Sequence, residues 1–202
     1  MSESKIDGHD GKISRMTDSE VTQAKTALRA KIRAARKSKQ EGHFCEDEHD
    51  EHLVLFLADQ NVRKIAAYIA LDDEPCTDLL LDVCEQVGIQ VLIPRVVNED
   101  LEWAIFNWDD LAEGEFGILE PTGPAEPLQV DAVLVPALAV DAAGNRLGKG
   151  RGFYDRALAE LESRVPIIAL VHDEEVYEEI PHETHDLKVD YVACCTGVHK
   201  LD

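Results

Sequence analysis

Apolar residues recur along this chain in segments that alternate between helical and strand-like patterns. In the first periodic segment they recur at steps of three and four residues, at Val21, Ala24, Leu28, Ile32 and Ala35. This spacing predicts an amphipathic helix of about six turns. Thr17 and Glu20 stand just ahead of the pattern with the spacing of a capping box, so we expect the helix to begin there.

The rest of the chain carries shorter apolar runs. A continuous run at 53–58 suits a buried helix. A further helix is expected over Asp78–Val87, with Thr77 as its cap and Gly88 as its end. A last helix is expected to follow the glycine-rich segment and to run through Leu161. Strands are predicted at 64–69, 89–94, 101–106, 132–136, 166–171 and 191–195, the last of them closing the chain.

Strands that alternate with helices indicate an α/β fold, with a mostly parallel sheet covered by helices on both faces. In such folds ligands bind beyond the carboxyl ends of the strands. The length of 202 residues is that of one large domain, which we place at 17–202. Residues 1–16 are polar and lack periodicity, so we predict a disordered leader there.

The formal net charge of −21 bears on possible partners. So acidic a surface repels phosphate backbones and anionic membranes, so we expect neither nucleic acid nor a membrane as a partner. Five cysteines without CxxC spacing indicate neither a disulfide framework nor a zinc site. The sequence also lacks a signal-peptide core and a long apolar run, so we expect a cytoplasmic protein.

One acidic segment, 41–52, contains His43, His49 and His52. These histidines are compatible with a metal site. The acidic residues between them are more typical of a solvated loop, and this second interpretation is favoured.

Residues 146–155, with the sequence RLGKGRGFYD, are the strongest candidate for chemistry. Glycines at every second position let backbone N–H groups approach an anion, and three basic side chains add charge. These residues are Gly148, Gly150, Gly152, Arg146, Lys149 and Arg151. The segment is not a Walker A loop, since Lys149 is followed by Gly150. A tight strand-to-helix connection remains the alternative interpretation.

Two features of the surroundings favour a bound nucleotide. Eleven of the 20 basic residues fall in two groups, Lys25, Arg29, Lys31, Arg33, Arg36, Lys37 and Lys39, and Arg146, Lys149, Arg151 and Arg156. Such grouping suggests an anion held between two segments, although the first group also suits a solvated helix face. Asp155 would repel a polyphosphate unless Mg²⁺ lay between them, so it favours a metal-bound nucleotide; alternatively it only stabilises the helix dipole.

With these motifs the chain resembles the 5-formyltetrahydrofolate cyclo-ligases, also called 5,10-methenyltetrahydrofolate synthetases. The most specific match joins 135–141 (VPALAVD) to the glycine-rich segment. Further similarity lies at Lys25 and Arg29, and at the segments 68–77, 93–95, 117–121, 180–181 and 185–190. The similarity extends over nearly all of the chain after residue 20.

The resemblance implies a three-layer α/β/α sandwich and an ATP- and Mg²⁺-dependent ligase of one-carbon metabolism. Its substrate would be 5-formyltetrahydrofolate, and its products 5,10-methenyltetrahydrofolate, ADP and phosphate. The formyl oxygen would first be phosphorylated, and N10 would then displace the phosphate. No protein nucleophile is required, which agrees with the lack of an obvious Ser-His or Cys-His arrangement.

The resemblance also assigns site residues. For ATP it implies Lys25, Arg29, Arg146, Leu147, Gly148, Lys149, Gly150, Arg151, Gly152, Phe153 and Tyr154. For the folate it implies Ile69, Glu74, Lys149, Gly150, Arg151, Gly152 and Phe153, with Glu74 accepting pterin N–H donors. Catalytic roles fall to Arg146, Lys149, Arg151 and Tyr154, and Mg²⁺ to Asp155 and Asp186.

Simpler interpretations exist for several of these residues. Lys25 and Arg29 also suit ordinary surface charge, and Asp186 suits a turn before the last strand. Any of Asp72, Asp73 and Glu74 is placed to point inward. Trp103 is a candidate aromatic wall of the substrate site, although an aromatic residue in a strand more often belongs to the core.

Some positions depart from the usual family pattern, namely Ala70, Ala137, Val140 and Glu175. We expect the first three to alter the shape of the pocket, and Glu175, where Gln is frequent, to alter how substrate is held. Two alternatives therefore stay open: an ATP-dependent enzyme acting on another pterin or amide, and a non-catalytic folate- or nucleotide-binding regulator.

Overall fold

A seven-stranded sheet lies at the centre of the computed structural model, which describes residues 17–39, 48–114, 117–159, 161 and 164–202. The predicted leader at 1–16 and His43 lie outside these ranges. The helices are α1 Asp18–Lys39, α2 Glu48–Asp59, α3 Asp78–Val87 and α4 Phe153–Ala159. The strands are β1 Lys64–Ala66, β2 Gln90–Val97, β3 Asp100–Ile105, β4 Leu111–Glu113, β5 Leu119–Pro121, β6 Ala132–Pro136, β7 Ala139–Asp141, β8 Arg146–Leu147, β9 Ile167–Leu170, β10 Val176–Tyr177, β11 Tyr191–Cys194 and β12 Gly197–Lys200.

The strand order of the large sheet is β12-β11-β9-β6-β1-β2-β3. The five inner strands are parallel, and the two edge strands pair antiparallel to their neighbours. Ile65 of β1 stands opposite Val91 on one side and Ala132 on the other, so β1 is central. The mostly parallel sheet of the sequence prediction is confirmed.

Both faces of this sheet are buried, because successive strand residues point to opposite faces. Val91 and Ile93 pack with α2 and α3 in one apolar cluster, whereas Leu92 between them packs in a second cluster with α4. Apolar side chains therefore occupy both faces, which explains why the strands read as continuous apolar runs. The three-layer α/β/α architecture is confirmed.

Helix α1 covers a smaller sheet with the order β10-β7-β8. Ile32 of α1 is buried in a cluster with Leu138, Leu147 and Ile180. The predicted capping box is present, since the Thr17 backbone N–H donates to Glu20 Oε2 at 2.7 Å. Because β8 leads into the glycine-rich segment, this packing brings α1 alongside that segment.

Several details of the predicted elements were wrong. The strand predicted at 64–69 ends at Ala66, and the last helix ends at Ala159 instead of Leu161. Helix α3 has the predicted bounds and ends at Gly88 in a left-handed conformation, but the Thr77 hydroxyl donates to Tyr68 O instead of capping the helix. Tyr191–Cys194 does not close the chain, because β12 follows it. The two- and three-residue strands of the smaller sheets escaped prediction because so few residues show no periodicity.

The histidine-rich segment also differs from the prediction. Helix α2 begins at Glu48, so His49 and His52 lie on a helix, and His49 is buried with Nε2 2.8 Å from Cys76 O. The solvated loop is therefore wrong for this part of the segment. Within the described ranges, one group of at least three His, Cys, Asp or Glu side chains lies close enough to share a metal ion. It consists of Glu183, His185 and Asp186, and so contains neither of these histidines.

None of the described helices combines the length and the apolar character that crossing a membrane requires.

Candidate active site

A cavity of about 320 Å³ opens at the carboxyl ends of β1, β2 and β6. Tyr68 and Ile69 follow β1, Pro94 lies in β2, and Pro136 ends β6, so the central strands form its floor. The glycine-rich segment forms another wall, from Gly148 to Asp155. This is the edge of the sheet at which a ligand was expected, and the volume lies within the range of small-molecule sites.

The glycine-rich segment connects β8 to α4, and its backbone requires glycine. Gly150 and Gly152 have φ angles of 103° and 69°, which residues with a Cβ rarely adopt. A Cβ on Gly148 would lie 3.0 Å from Arg146 Nη1. The segment is thus a strand-to-helix connection that also lines the cavity, so the two interpretations of it do not exclude each other.

The two basic groups of the sequence meet at this segment. Arg29 of α1 donates from Nε to Gly148 O at 2.9 Å, and Arg33 donates from Nη2 to Lys149 O at 3.2 Å. Burial lowers the pKa of Arg29, and the charge of Arg33 lowers it further. Helix α1 therefore holds the glycine-rich segment through its carbonyl oxygens, which explains why a helix so remote in sequence carries basic residues.

Arg146 and Asp155 form an ion pair at the start of α4. Arg146 donates from Nη2 to Asp155 Oδ1 at 3.1 Å and from Nη1 to Pro136 O at 3.0 Å. Asp155 Oδ1 also accepts from the Leu187 backbone N–H at 3.0 Å. This last bond brings the chain next to Asp186 against the glycine-rich segment.

Lys25 is bound by two carboxylates. Its Nζ lies 2.6 Å from Glu183 Oε2 and 2.6 Å from Asp186 Oδ2, and Lys25 is 6% exposed. Burial works to raise the pKa of Asp186, but the hydrogen bonds from Lys25 and from the Glu183 backbone N–H hold it below its usual value. Lys25 is therefore not an ordinary surface charge.

Of the three consecutive acidic residues at 72–74, Glu74 lies deepest in the cavity wall. Its side chain is 4% exposed, Oε1 lies 2.8 Å from Lys149 Nζ, and Oε2 accepts from the Leu71 backbone N–H at 3.0 Å. Asp73 is more exposed and lies 3.7 Å from the same Lys149 Nζ. Glu74 is thus in contact with the glycine-rich segment before any ligand is considered.

Most predicted site residues line the cavity. They are Ile69, Glu74, Arg146, Gly148, Lys149, Gly150, Arg151, Gly152, Phe153, Tyr154 and Asp155. Lys25, Arg29 and Asp186 lie behind the glycine-rich segment instead, and the Leu147 side chain is buried in the cluster under α1. The pKa of Tyr154 is raised, mainly by burial and further by the negative charge of Glu74.

Trp103 does not form an aromatic wall. It is buried in the apolar cluster with α4, outside the cavity lining, and its ring packs edge-on against that of Tyr154 with centroids 6.3 Å apart. Of the two interpretations, the core position, which the sequence favoured, is the one that the structure shows. Trp103 supports a cavity residue from behind.

The four departures from the family pattern also lie outside the described lining of the cavity. Ala137 and Val140 are core residues, and the Ala70 backbone N–H donates to Thr77 Oγ1 at 3.0 Å, which proline would not allow. The side chains of these residues therefore do not line the cavity, and their effect on its shape, through the neighbouring residues Ile69, Leu71 and Pro136, stays a prediction.

Glu175 is bound by Arg36 of α1. Arg36 donates from Nε to Oε1 at 2.6 Å and from Nη2 to Oε2 at 2.7 Å, and both side chains are buried. Burial works to lower the pKa of Arg36, but Glu175 keeps it above its usual value. Glu175 therefore holds α1 in place and does not face the cavity, contrary to the sequence expectation.

Sequence reasoning assigned no role to several residues that line the cavity, among them Arg33, Tyr68 and Leu71. Arg33 had been placed only within a basic group. Tyr68 was placed inside the strand predicted at 64–69, whereas β1 ends at Ala66. The position after a parallel strand is the signal that would have identified it.

The carboxylates of Asp155 and Asp186 are a donor set that suits Mg²⁺. Mg²⁺ prefers carboxylate oxygens, usually one or two of them together with substrate phosphates. The Asp155 side chain is partly exposed at the cavity, and it accepts a hydrogen bond from the backbone N–H of Leu187, the residue after Asp186. Because Arg146 and Lys25 pair with these carboxylates, a bound cation would compete with both pairs.

Together these features define an α/β protein with a cleft at the carboxyl edge of its sheet, one wall of which is a basic, glycine-rich segment. The model of the 5-formyltetrahydrofolate cyclo-ligase family matches residues 21–195, so the chain belongs to that family of ligases.

Named relatives and a solved structure agree. A 5-formyltetrahydrofolate cyclo-ligase of Mycolicibacterium smegmatis is 39% identical over 140 residues, 64% of this chain and 72% of the relative. One of Haemophilus influenzae is 29% identical over 177 residues, 82% of this chain and 95% of the relative. The NMR structure of Aquifex aeolicus 5,10-methenyltetrahydrofolate synthetase superposes with a TM-score of 0.76 at 26% identity, covering 88% of this chain and 92% of that one.

Proposed function

We propose that this chain is a 5-formyltetrahydrofolate cyclo-ligase that uses ATP and Mg²⁺. The observation that carries the proposal is the contact between Lys149 and Glu74 inside one cavity. A basic, glycine-rich wall suited to phosphates and a buried carboxylate suited to pterin N–H donors stand 2.8 Å apart. Such a cavity suits a reaction between a polyphosphate and a reduced folate.

The reaction has two steps. The formyl oxygen on N5 attacks the γ-phosphorus of ATP, and the bond from that phosphorus to ADP breaks. N10 then attacks the activated formyl carbon, phosphate leaves with the former formyl oxygen, and the N10 proton is lost to solvent. The protein has to align the two reactants and stabilise the charge that develops on the phosphoryl oxygens.

Four residues are assigned to catalysis. Arg146, Lys149 and Arg151 stand along the cavity wall, where their positive charges would stabilise the transferred phosphoryl group. Tyr154, like any phenol, is protonated at neutral pH, and burial raises its pKa further. Its hydroxyl is therefore a hydrogen-bond donor for a phosphoryl or formyl oxygen.

Asp155 and Asp186 would hold Mg²⁺, which when bound supplies positive charge to the phosphate oxygens of ATP. Release of Arg146 from Asp155 and of Lys25 from Asp186 would turn two basic side chains toward the phosphates. Arg29 already contacts the glycine-rich segment and completes this group. The backbone of 146–154 would then contact the triphosphate of ATP.

The folate would lie between Glu74 and the glycine-rich segment, with Ile69 as an apolar contact beside the pterin. Binding of the pterin by Glu74 would separate that carboxylate from Lys149. Lys149 would then be released toward the phosphate of ATP. The two substrates are in this way expected to promote each other's binding.

The test is the near-ultraviolet absorbance of methenyltetrahydrofolate on mixing the purified chain with 5-formyltetrahydrofolate, ATP and Mg²⁺. We expect the absorbance to rise only when all three are present, with one ADP released per product. Folded protein that binds 5-formyltetrahydrofolate without consuming ATP would instead identify a regulator. ADP release that responds to another pterin or amide alone would identify a different substrate.

A further inference from the structure

Tyr68 occupies a central place in the cavity. It lies two residues beyond β1, whose neighbours in the sheet are β2 and β6, and it lines the cavity while being 4% exposed. Its carbonyl oxygen accepts from Thr77 Oγ1 at 2.9 Å, which fixes the backbone at this point. The Tyr68 side chain is therefore buried at the carboxyl edge of the sheet, on a backbone that this hydrogen bond fixes.

The Tyr68 hydroxyl is buried and has no hydrogen-bond partner in the described part of the chain. Leaving a buried hydroxyl unpaired is unfavourable, so packing alone would favour phenylalanine at this position. Burial raises the pKa of Tyr68 well above its usual value, and the nearby charge of Glu74 raises it further. The phenol is protonated at neutral pH, as an ordinary phenol is, and it is available as a donor in the cavity that Glu74 also lines.

We propose that Tyr68 is a substrate-binding residue whose hydroxyl donates a hydrogen bond to an acceptor on the pterin ring, an inference that rests on the proposed function. The pterin has ring N–H donors, which suit Glu74, and ring acceptors, which Glu74 does not satisfy. A phenol that lines the same cavity as the carboxylate supplies the missing donor. The pair would fix the pterin's orientation and select against rings that lack this acceptor.

The test is Tyr68→Phe, which removes only the hydroxyl. We expect the Kd and KM for 5-formyltetrahydrofolate to rise about threefold to tenfold with kcat nearly unchanged, because the bond is present in ground and transition states alike. The urea midpoint of the ligand-free variant should be unchanged or higher, since the hydroxyl has no partner to lose. Tyr191→Phe is the matched control, because Tyr191 packs on Phe56 away from the cavity.

Two fragments locate the contact. Binding of 6-methyltetrahydropterin should weaken in Tyr68→Phe by the same factor as the whole substrate, whereas binding of aminobenzoylglutamate, which lacks the pterin, should not change. An unchanged Kd for the pterin fragment, or a lower urea midpoint, would overturn the inference. Wild-type protein that binds the pterin fragment but forms no methenyl product would refute the proposed function separately, and the fragment titration would still decide the role of Tyr68.

Discussion

Two ion pairs near the carboxyl edge of the sheet have opposite surroundings. Arg36 and Glu175 are both sealed from solvent, and two short hydrogen bonds join them. Lys149 and Glu74 share one contact of 2.8 Å, and Lys149 remains 34% exposed in the wall of the cavity. Both pairs join a basic and an acidic residue that are far apart in sequence, yet they differ in what can replace the partner.

The difference separates structural charges from ligand-binding ones. A buried pair is kept because either charge alone would be strongly unfavourable in the interior. A pair that faces a cavity exchanges its partner readily, because an incoming anion or N–H donor offers an equivalent contact. Arg36 and Glu175 therefore fix α1, whereas Lys149 and Glu74 are available to the two substrates.

The largest expected effect is on the buried pair. Glu175→Ala leaves the Arg36 charge uncompensated, so we expect it to lower the free energy of unfolding by about 3–5 kcal/mol. Urea denaturation followed by circular dichroism measures this. The double variant Arg36→Leu/Glu175→Leu should recover most of the loss, because no unpaired charge remains. A single variant as stable as wild type would show that the pair does not hold α1.

Breaking the ion pair of Lys149 and Glu74 in the cavity should reduce activity more than stability. Lys149→Met is expected to lower kcat/KM by about 10²–10³, the usual effect of removing one group that stabilises developing charge. The free energy of unfolding should fall by less than in Glu175→Ala, because Lys149 is 34% exposed and the buried Glu74 carboxylate keeps the hydrogen bond from the Leu71 backbone N–H. Lys64→Met, which breaks a surface pair with Glu126, is the matched control and should leave kcat/KM unchanged. Loss of stability without loss of turnover would make Lys149 a structural residue.

The sequence was sufficient to predict the frame that carries these pairs. The inner strands are recognisable because, being buried on both faces, each is a continuous apolar run, and Gly88 marks the end of α3 by its left-handed conformation. The capping box of Thr17 and Glu20 marked the start of α1. The short strands β7, β8 and β10 were missed because they are defined by pairing between distant segments, which no local pattern records.

The roles of individual charges were harder to predict, because a role depends on the partner that the fold supplies. Glu175 and Glu74 are both acidic residues next to turns, and nothing local shows that Arg36 meets one and Lys149 the other. Trp103 was ambiguous for the same reason, since strand periodicity does not tell which face lies toward the cavity. The glycine-rich segment was predicted from its own glycines and basic residues, and the resemblance to a family added Glu74, but neither predicted the supporting contacts from α1.

The smallest effect concerns the coupling between substrates. If pterin binding releases Lys149 from Glu74, a non-hydrolysable ATP analogue should bind about fivefold to tenfold more tightly when 5-formyltetrahydrofolate is saturating. In Glu74→Gln the carboxylate charge that holds Lys149 is removed, so the analogue should bind the folate-free enzyme more tightly, and folate should add little. Titration calorimetry with and without folate, on wild type and variant, gives the four affinities.

Asp73→Asn is the matched control for this measurement, because Asp73 lies 3.7 Å from Lys149 Nζ and is more exposed than Glu74. Its coupling should stay close to that of wild type. Reciprocity provides an internal check, since the analogue must tighten folate binding by the same factor that folate tightens the analogue. Equal coupling in wild type and Glu74→Gln would mean that the release of Lys149 from Glu74 does not couple the binding of the two substrates.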